Sequence, residues 1–224
     1  MNILDFLFPK HCVYCGRIGG YFCDCCRFHI KTIAAHEAIC PVCEKSAIGG
    51  STHPRCKGRY TPDGLTVFFH YDGAIRSAIK TLKYRLVTDL AEEFISLIQN
   101  SLLVNNSVLI PIPLHPSRLR ERGFNQAEIL GRLLSKKLNI TMRTDILKRA
   151  RETVPQAEIE RRKDRMENMK NVFVCNDVFH KQAERYKNIL LFDDVFTTGT
   201  TMREATSVLK RAGARWVWCV TMAR

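Results

Sequence analysis

Apolar positions are distributed in two different ways along the chain. From Leu65 onward, short apolar runs alternate with stretches of helical period, whereas residues 1–60 show neither pattern. Leu65 to Tyr71 is a short β-rich run and predicts a strand, while Ala74 to Tyr84 and Asp89 to Leu103 carry apolar residues at helical spacing. Val108-Leu-Ile-Pro-Ile-Pro113 is continuously apolar, as a buried parallel strand requires, and Pro111 and Pro113 stop it. Phe124 to Leu138 reads as a helix, residues 157–168 as a very charged helix, and Asn188 to Phe192 as a second buried strand. In Thr201 to Ala212, Met202, Ala205, Val208, Leu209 and Ala212 share one helical face and Gly213 ends it; Arg215 to Met222 is the last strand. Strand and helix alternate, which predicts an α/β domain with a parallel sheet whose ligands bind at the carboxyl ends of its strands. Gly58 to Gly64 reads as linker and turn, placing a boundary near residue 60 between a module of residues 1–60 and a domain of 61–224.

Composition bounds the picture further. The chain has 224 residues, 46% hydrophobic and 25% charged, so it buries a sizeable core and needs neither disorder nor a membrane span. Its net charge of +13 favours polyanionic partners: phosphorylated ligands, nucleic acid or anionic lipid. From Arg118 to Lys170, 15 basic residues face 8 acidic ones, which concentrates anion binding there. Met1 to Phe8 is apolar but carries Asp5, lacks a basic start and stops at Pro9, too short for a signal peptide or a spanning helix. The expectation is a cytoplasmic protein without membrane insertion, whose thiols stay reduced.

That expectation gives the cysteines their meaning. Eight of the ten lie between Cys12 and Cys56. The ligand types there read Cys12-Val-Tyr-Cys15, Cys23-Asp-Cys25-Cys26, Cys40-Pro-Val-Cys43 and His53-Pro-Arg-Cys56. Two intervening residues let one tight turn aim two soft ligands at a single tetrahedral ion, so two such knuckles close a structural zinc site. One zinc falls to Cys12, Cys15, Cys23 and Cys26, and a second to Cys40, Cys43, His53 and Cys56. Crossed pairing of the knuckles fits the same spacings, and Cys25 can stand in for Cys23 or Cys26. The stretch is poor in large aliphatic residues, so metal binding supplies folding free energy that burial cannot, on the order of 10 kcal/mol per site.

The remaining chemistry is concentrated in Asp193-Asp194-Val-Phe-Thr197-Thr198-Gly199-Thr200-Thr201, at the end of an apolar run and the start of a helix. Four hydroxyls, a glycine that allows close backbone approach and the amides of a helix N-terminus cradle a phosphate dianion. Adjacent acids at a strand end point to different sides and accept hydrogen bonds from two vicinal hydroxyls or position a hydrated Mg²⁺. A sugar phosphate satisfies both halves. The stretch resembles the phosphoribosyltransferase signature, which implies that Asp193 and Asp194 hold the ribose 2′- and 3′-hydroxyls and that Thr197 to Thr201 hold the 5′-phosphate of phosphoribosyl pyrophosphate.

A second resemblance narrows the family. Pro111-Ile-Pro113-Leu-His115-Pro, Arg122-Gly-Phe-Asn125-Gln126-Ala, Thr153-Val-Pro-Gln156 and Arg165-Met-Glu-Asn168, taken with the cysteine pairs, look like a ComF-type competence protein. The chain departs from that pattern at His53, where cysteine is usual, and in the additional Cys25. The resemblance implies a type I phosphoribosyltransferase-like fold with a double zinc-ribbon start, and a role in DNA uptake during natural transformation, with single-stranded DNA and a competence helicase as partners. It also implies a pyrophosphate loop at Ile112, Pro113 and Leu114. Arg118, Arg120 and Arg122 neutralise the leaving pyrophosphate, with Lys83 as a further candidate for the same anion. Residues 150–165 would form the mobile flap of that fold. Phe124 and Phe173 are the candidate stacking faces for a nucleic acid. Two readings follow: a transferase of phosphoribose to an acceptor base, or a non-catalytic zinc and single-stranded-DNA-binding module that uses the sugar-phosphate site for recognition.

Overall fold

The computed structural model describes residues 9–84, 88–99, 107–150, 172–176, 179 and 188–224. Its centre is a five-stranded, wholly parallel sheet in the order β1 (Gly64–Phe69), β7 (Trp216–Ala223), β6 (Asn188–Val195), β2 (Ser107–Pro111) and β3 (Thr141–Met142). β4 (Leu147–Arg149) and β5 (Phe173–Cys175) form a separate antiparallel ribbon. The four apolar runs of the sequence are thus the three central strands and one edge strand of this sheet, with β3 at the other edge. Neither β3 nor the ribbon was expected from the sequence.

Alternation along β6 divides the core into two layers. Leu190 and Phe192 pack with Ile75, Ile79 and Leu82 of the helix Gly73–Tyr84 and with Phe94 of the helix Thr88–Ser96. Ile189 and Leu191 pack on the other face with Met202, Ala205 and Leu209 of the helix Thr200–Arg211. The helix expected over Phe124 to Leu138 begins at Gln126, because Asn125 caps it by accepting from the Ala127 amide at 3.1 Å, and it ends at Asn139 in the left-handed region. A short helix over Pro116–Arg122 was not expected; His115 caps it, Pro116 takes its first turn and Gly123 closes it. The helix expected over Asp89 to Leu103 is seen as Thr88–Ser96 and is shorter than expected, since Leu97 to Gln99 are turn and coil; residues 100–103 lie outside the described ones, as does the charged helix of residues 157–168.

The cysteine-bearing stretch lies against this body. Glu93, on the helix Thr88–Ser96, accepts from the Tyr21 and Phe22 amides at 3.1 and 2.9 Å, and Lys10 pairs with Asp89 at 2.7 Å. Cys12, Phe22 and Cys26 are buried in the same apolar layer as Phe69 and Phe94. Farther along, isolated bridges Thr32–Phe69 and Ser51–Gly64 cover the free edge of β1. Among the described residues, no helix is long and apolar enough to cross a membrane.

Candidate functional site

Two metal-competent clusters come together as the spacing predicted. The ligand atoms of Cys12, Cys15, Cys23 and Cys26 lie within 4.8 Å of one another, as do those of Cys40, Cys43, His53 and Cys56. Sequential pairing of the knuckles is therefore the one the fold makes, and the crossed pairing is not. Cys25 stands outside both groups, exposed on the short helix Asp24–Phe28.

The surroundings of each cluster suit thiolate and imidazole ligands. Burial raises the Cys12 thiol, but hydrogen bonds from the Cys15, Cys23 and Tyr14 amides outweigh it and bring the pKa down to about 6. Burial likewise raises Cys40, while amides of Cys43, His53 and Val42 bring it down to about 7. These are the N–H···S contacts of a knuckle that holds a thiolate ready for a cation. Cys26 is raised, by burial first and then by the neighbouring thiols, and Cys56 is raised to about 11, by Cys43 first and then by burial. His53 donates from Nε2 to the Ser46 carbonyl at 2.9 Å, so Nδ1 carries the lone pair and faces Cys43 Sγ at 3.3 Å. Donor sets of four cysteines, and of three cysteines with one histidine, fit zinc.

The second constellation stands at the carboxyl end of β6. The strand runs past Phe192 to Val195, so both acids belong to it, with Asp193 in register with Thr221 of β7. By alternation Asp193 faces the side of the helix Thr200–Arg211 and Asp194 the side of the helix Gly73–Tyr84. Asp193 accepts from the Asp194 amide at 2.9 Å, and its carboxyl is held well above the ordinary range, by burial first and by the neighbouring Asp194 charge second. Asp194 pairs with Lys83 at 3.2 Å. Burial lowers Lys83, but the charge and hydrogen bond of Asp194 outweigh it and raise its pKa, helped by Asp193 and Tyr71. Lys83 thus belongs to the acid pair, where the sequence offered it only as a ligand for the leaving anion.

The hydroxyl loop follows directly. Gly199 has φ 65° and a side chain there would meet the Phe196 ring at 2.5 and 2.7 Å and Arg203 Nη1 at 2.9 Å, so only glycine closes the turn. It caps the helix Thr200–Arg211, whose first amides lie at Thr200 and Thr201 beside Thr197 and Thr198, and Thr198 and Thr200 share a hydroxyl hydrogen bond of 2.9 Å. Arg203 reaches the same turn, donating from Nη2 to Thr200 Oγ1 at 3.3 Å. The sequence reading missed Arg203 and Tyr71. For Arg203 the only signal was an arginine one turn inside a helix N-terminus, where acids are the usual choice.

One strand away, the Ile112 amide donates to the Phe192 carbonyl at 2.8 Å, so Ile112, Pro113 and Leu114 turn beside the acids. Asn125 holds this turn by donating to the Ile112 carbonyl at 3.0 Å, and Gln126 donates to the Lys83 carbonyl at 3.1 Å. Arg118 and Arg122 follow on the helix Pro116–Arg122, both half-buried, while Arg120 is exposed. A cleft of about 430 Å³ opens beside the turn, lined by Pro113, Leu114, Leu119, Asn125, Thr144 and Lys148 among others. Of the flap expected over residues 150–165 only Ala150 is among the described residues, and the motifs at Thr153 and Arg165 fall outside them; the β4–β5 ribbon stands at the two ends of that segment. Phe173 is 3% exposed, with the Arg149 guanidinium 5.7 Å from its ring centre, so it is core and not a stacking face; Phe124 is half-buried.

No family model matches the chain. It is 36% identical over 116 residues to Competence protein F of Haemophilus influenzae, covering 52% of this chain and 49% of that protein, so this match spans about half of that relative. Two matches are longer: Competence protein ComFC of Bacillus subtilis, 26% identical over 205 residues and covering 85% of this chain and 78% of that one, and DNA utilization protein YhgH of Escherichia coli O6:H1, 27% identical over 224 residues and covering 88% and 95%. With its cysteine clusters in place ahead of a parallel α/β sheet, the chain is a homologue of these competence and DNA utilization proteins.

Proposed function

We propose that the chain is a phosphoribosyltransferase-like protein of DNA uptake that binds phosphoribosyl pyrophosphate with Mg²⁺ at the carboxyl end of β6. The observation that carries this reading is the adjacency of an acid pair and a hydroxyl-rich, glycine-closed helix N-terminus on one strand end. Asp193 and Asp194 take the ribose hydroxyls, and Thr197, Thr198, Gly199, Thr200 and Thr201 take the 5′-phosphate. The turn at Ile112, Pro113 and Leu114 takes the pyrophosphate, with Arg118 and Arg122 supplying positive charge and Lys83 offering its ammonium to the same anion. Mg²⁺, when bound with the ligand, neutralises pyrophosphate charge. In the transferase reading the bond from ribose C1 to the pyrophosphate oxygen breaks as a bond from C1 to an acceptor nitrogen forms, and the protein's contribution is positional and electrostatic.

On this reading residues 1–60 form a zinc-binding module and residues 61–224 the sugar-phosphate domain, working in the cytoplasm. The names of the relatives, competence and DNA utilization proteins, support the role in DNA uptake. Single-stranded DNA and a competence helicase are the macromolecular partners it calls for. Pyrophosphate release from phosphoribosyl pyrophosphate across pooled bases separates the transferase from the recognition module. Release that needs a base and disappears in Asp194→Asn makes the chain an enzyme; binding without release leaves recognition alone.

A further inference from the structure

The phosphate loop does not stand by itself; one side chain joins it to the second cysteine knuckle. Arg203 donates from Nη1 to the carbonyl of Pro41 at 3.1 Å and from Nη2 to Thr200 Oγ1 at 3.3 Å. Pro41 lies between the metal-competent Cys40 and Cys43, and Thr200 opens the helix behind the loop. Arg203 and Pro41 are 162 residues apart in the chain. The two regions also share packing: Ile39, next to Cys40, is buried in the same apolar layer as Phe196 and Met202, which flank the loop. Gly199 lies so close to Arg203 Nη1 that a methyl group there would stand 2.9 Å from it, so the guanidinium is wedged under the turn. A planar, forked cation suits this place, because two nitrogens hold two fixed acceptors at once.

We infer that Arg203 is a positioning residue that couples the Cys40–Cys43–His53–Cys56 cluster to the phosphate loop, so that the order of that cluster sets the loop's affinity for a sugar phosphate. The inference rests on the reading of Thr197 to Thr201 as the phosphate site. The chemical logic is direct. A filled cluster fixes the Cys40 to Cys43 turn and hence the Pro41 carbonyl; that carbonyl fixes the guanidinium; the guanidinium holds Thr200 and backs the loop with positive charge. Coupling between two binding events is reciprocal, so a sugar phosphate on the loop must also raise this cluster's affinity for its metal by the same factor.

The test uses the full-length chain as wild type, Arg203→Ala and Arg203→Lys, each checked first for fold by circular dichroism and for zinc content. Two quantities are read: the affinity for phosphoribosyl pyrophosphate with Mg²⁺, and the affinity for each zinc by equilibrium competition with a chromogenic chelator, with and without that ligand. In wild type one of two zinc ions should be held roughly tenfold more tightly against release to the chelator when ligand saturates the site. Arg203→Ala should bind the ligand roughly tenfold more weakly and reduce the ligand's effect on zinc release to less than about twofold. Arg203→Lys keeps the charge but has one nitrogen, and should recover affinity without recovering the effect on zinc release. Wild-type affinity and undiminished protection of zinc in Arg203→Ala would overturn the inference. Should wild type not bind the ligand, the sugar-phosphate reading is overturned instead, and the link is judged on zinc retention alone: weaker retention by Arg203→Ala at equilibrium supports it and unchanged retention overturns it.

Discussion

Between Cys12 and Cys56 the buried apolar side chains besides the cysteines are Phe22, Ile39, Pro41 and Ala47, whereas β6 alone buries Ile189, Leu190, Leu191 and Phe192. The backbone differs in the same sense. The cysteine stretch pairs through isolated bridges such as His11–Ile18 and Ile39–Ser46, and the sheet through continuous parallel ladders. One region is organised by side chains that converge on two points, the other by area removed from water. The difference teaches where each region is vulnerable: the first to loss of a ligand, the second to loss of packing or of a buried charge partner.

Metal removal tests this contrast with the largest effect. Stripping zinc with a strong chelator should cost on the order of 10 kcal/mol per cluster, borne by the cysteine stretch. In hydrogen exchange, the amides of Cys12 and Cys40, which donate to Arg17 and Lys45 at 2.8 and 2.9 Å, should lose protection while that of Leu191 keeps it. Equal loss in both regions, or none in either, would break the comparison.

The join between the regions gives the next effect. Asp63 pairs with Lys210 at 2.7 Å and accepts from the Val217 amide at 2.9 Å, and the two side chains are only 10% and 7% exposed. Asp63→Asn leaves a buried ammonium uncompensated and should destabilise the chain by about 3 kcal/mol in urea denaturation. Arg132→Ala, which breaks the exposed pair with Glu128, should stay within about 0.5 kcal/mol. Similar values for the two variants would contradict the burial argument.

The smallest effect concerns Glu37, between the clusters. Its carboxyl lies below the ordinary range, through the Ala34 amide first, against burial, and with help from His70. A depressed carboxyl contributes stability that is present above its unfolded pKa and lost as pH falls through its folded one. The exchange protection factor of the Ala34 amide should therefore fall as the solution is acidified below the ordinary glutamate range, ahead of sheet amides. A protection factor that does not move would sink this assignment.

What the sequence made legible follows from the range of each interaction. Runs such as Val108 to Ile112 and Asn188 to Phe192 declare buried strands because the signal lies in adjacent residues, and the cysteine pairs declare their knuckles for the same reason. β3, with two residues, and β4 and β5, with three each, carry too little pattern to be read. The helix Pro116–Arg122 has a cap and a proline at its start but no apolar period. The acids and the hydroxyl loop were readable as neighbours in the chain, while the pairing of Lys83 with Asp194 and the reach of Arg203 to Pro41 depend on contacts that only the tertiary fold makes. Phe173 shows the reverse error, since an aromatic residue in a basic stretch carries no local mark of its burial.

The central claim is that the end of β6 holds a sugar phosphate. Titration calorimetry of phosphoribosyl pyrophosphate with Mg²⁺ into wild type and into the Asp193→Asn/Asp194→Asn double variant tests it most directly. The account predicts roughly micromolar affinity for wild type and a loss of about a hundredfold in a double variant that folds normally. No binding by wild type, or equal binding by both proteins, would contradict it.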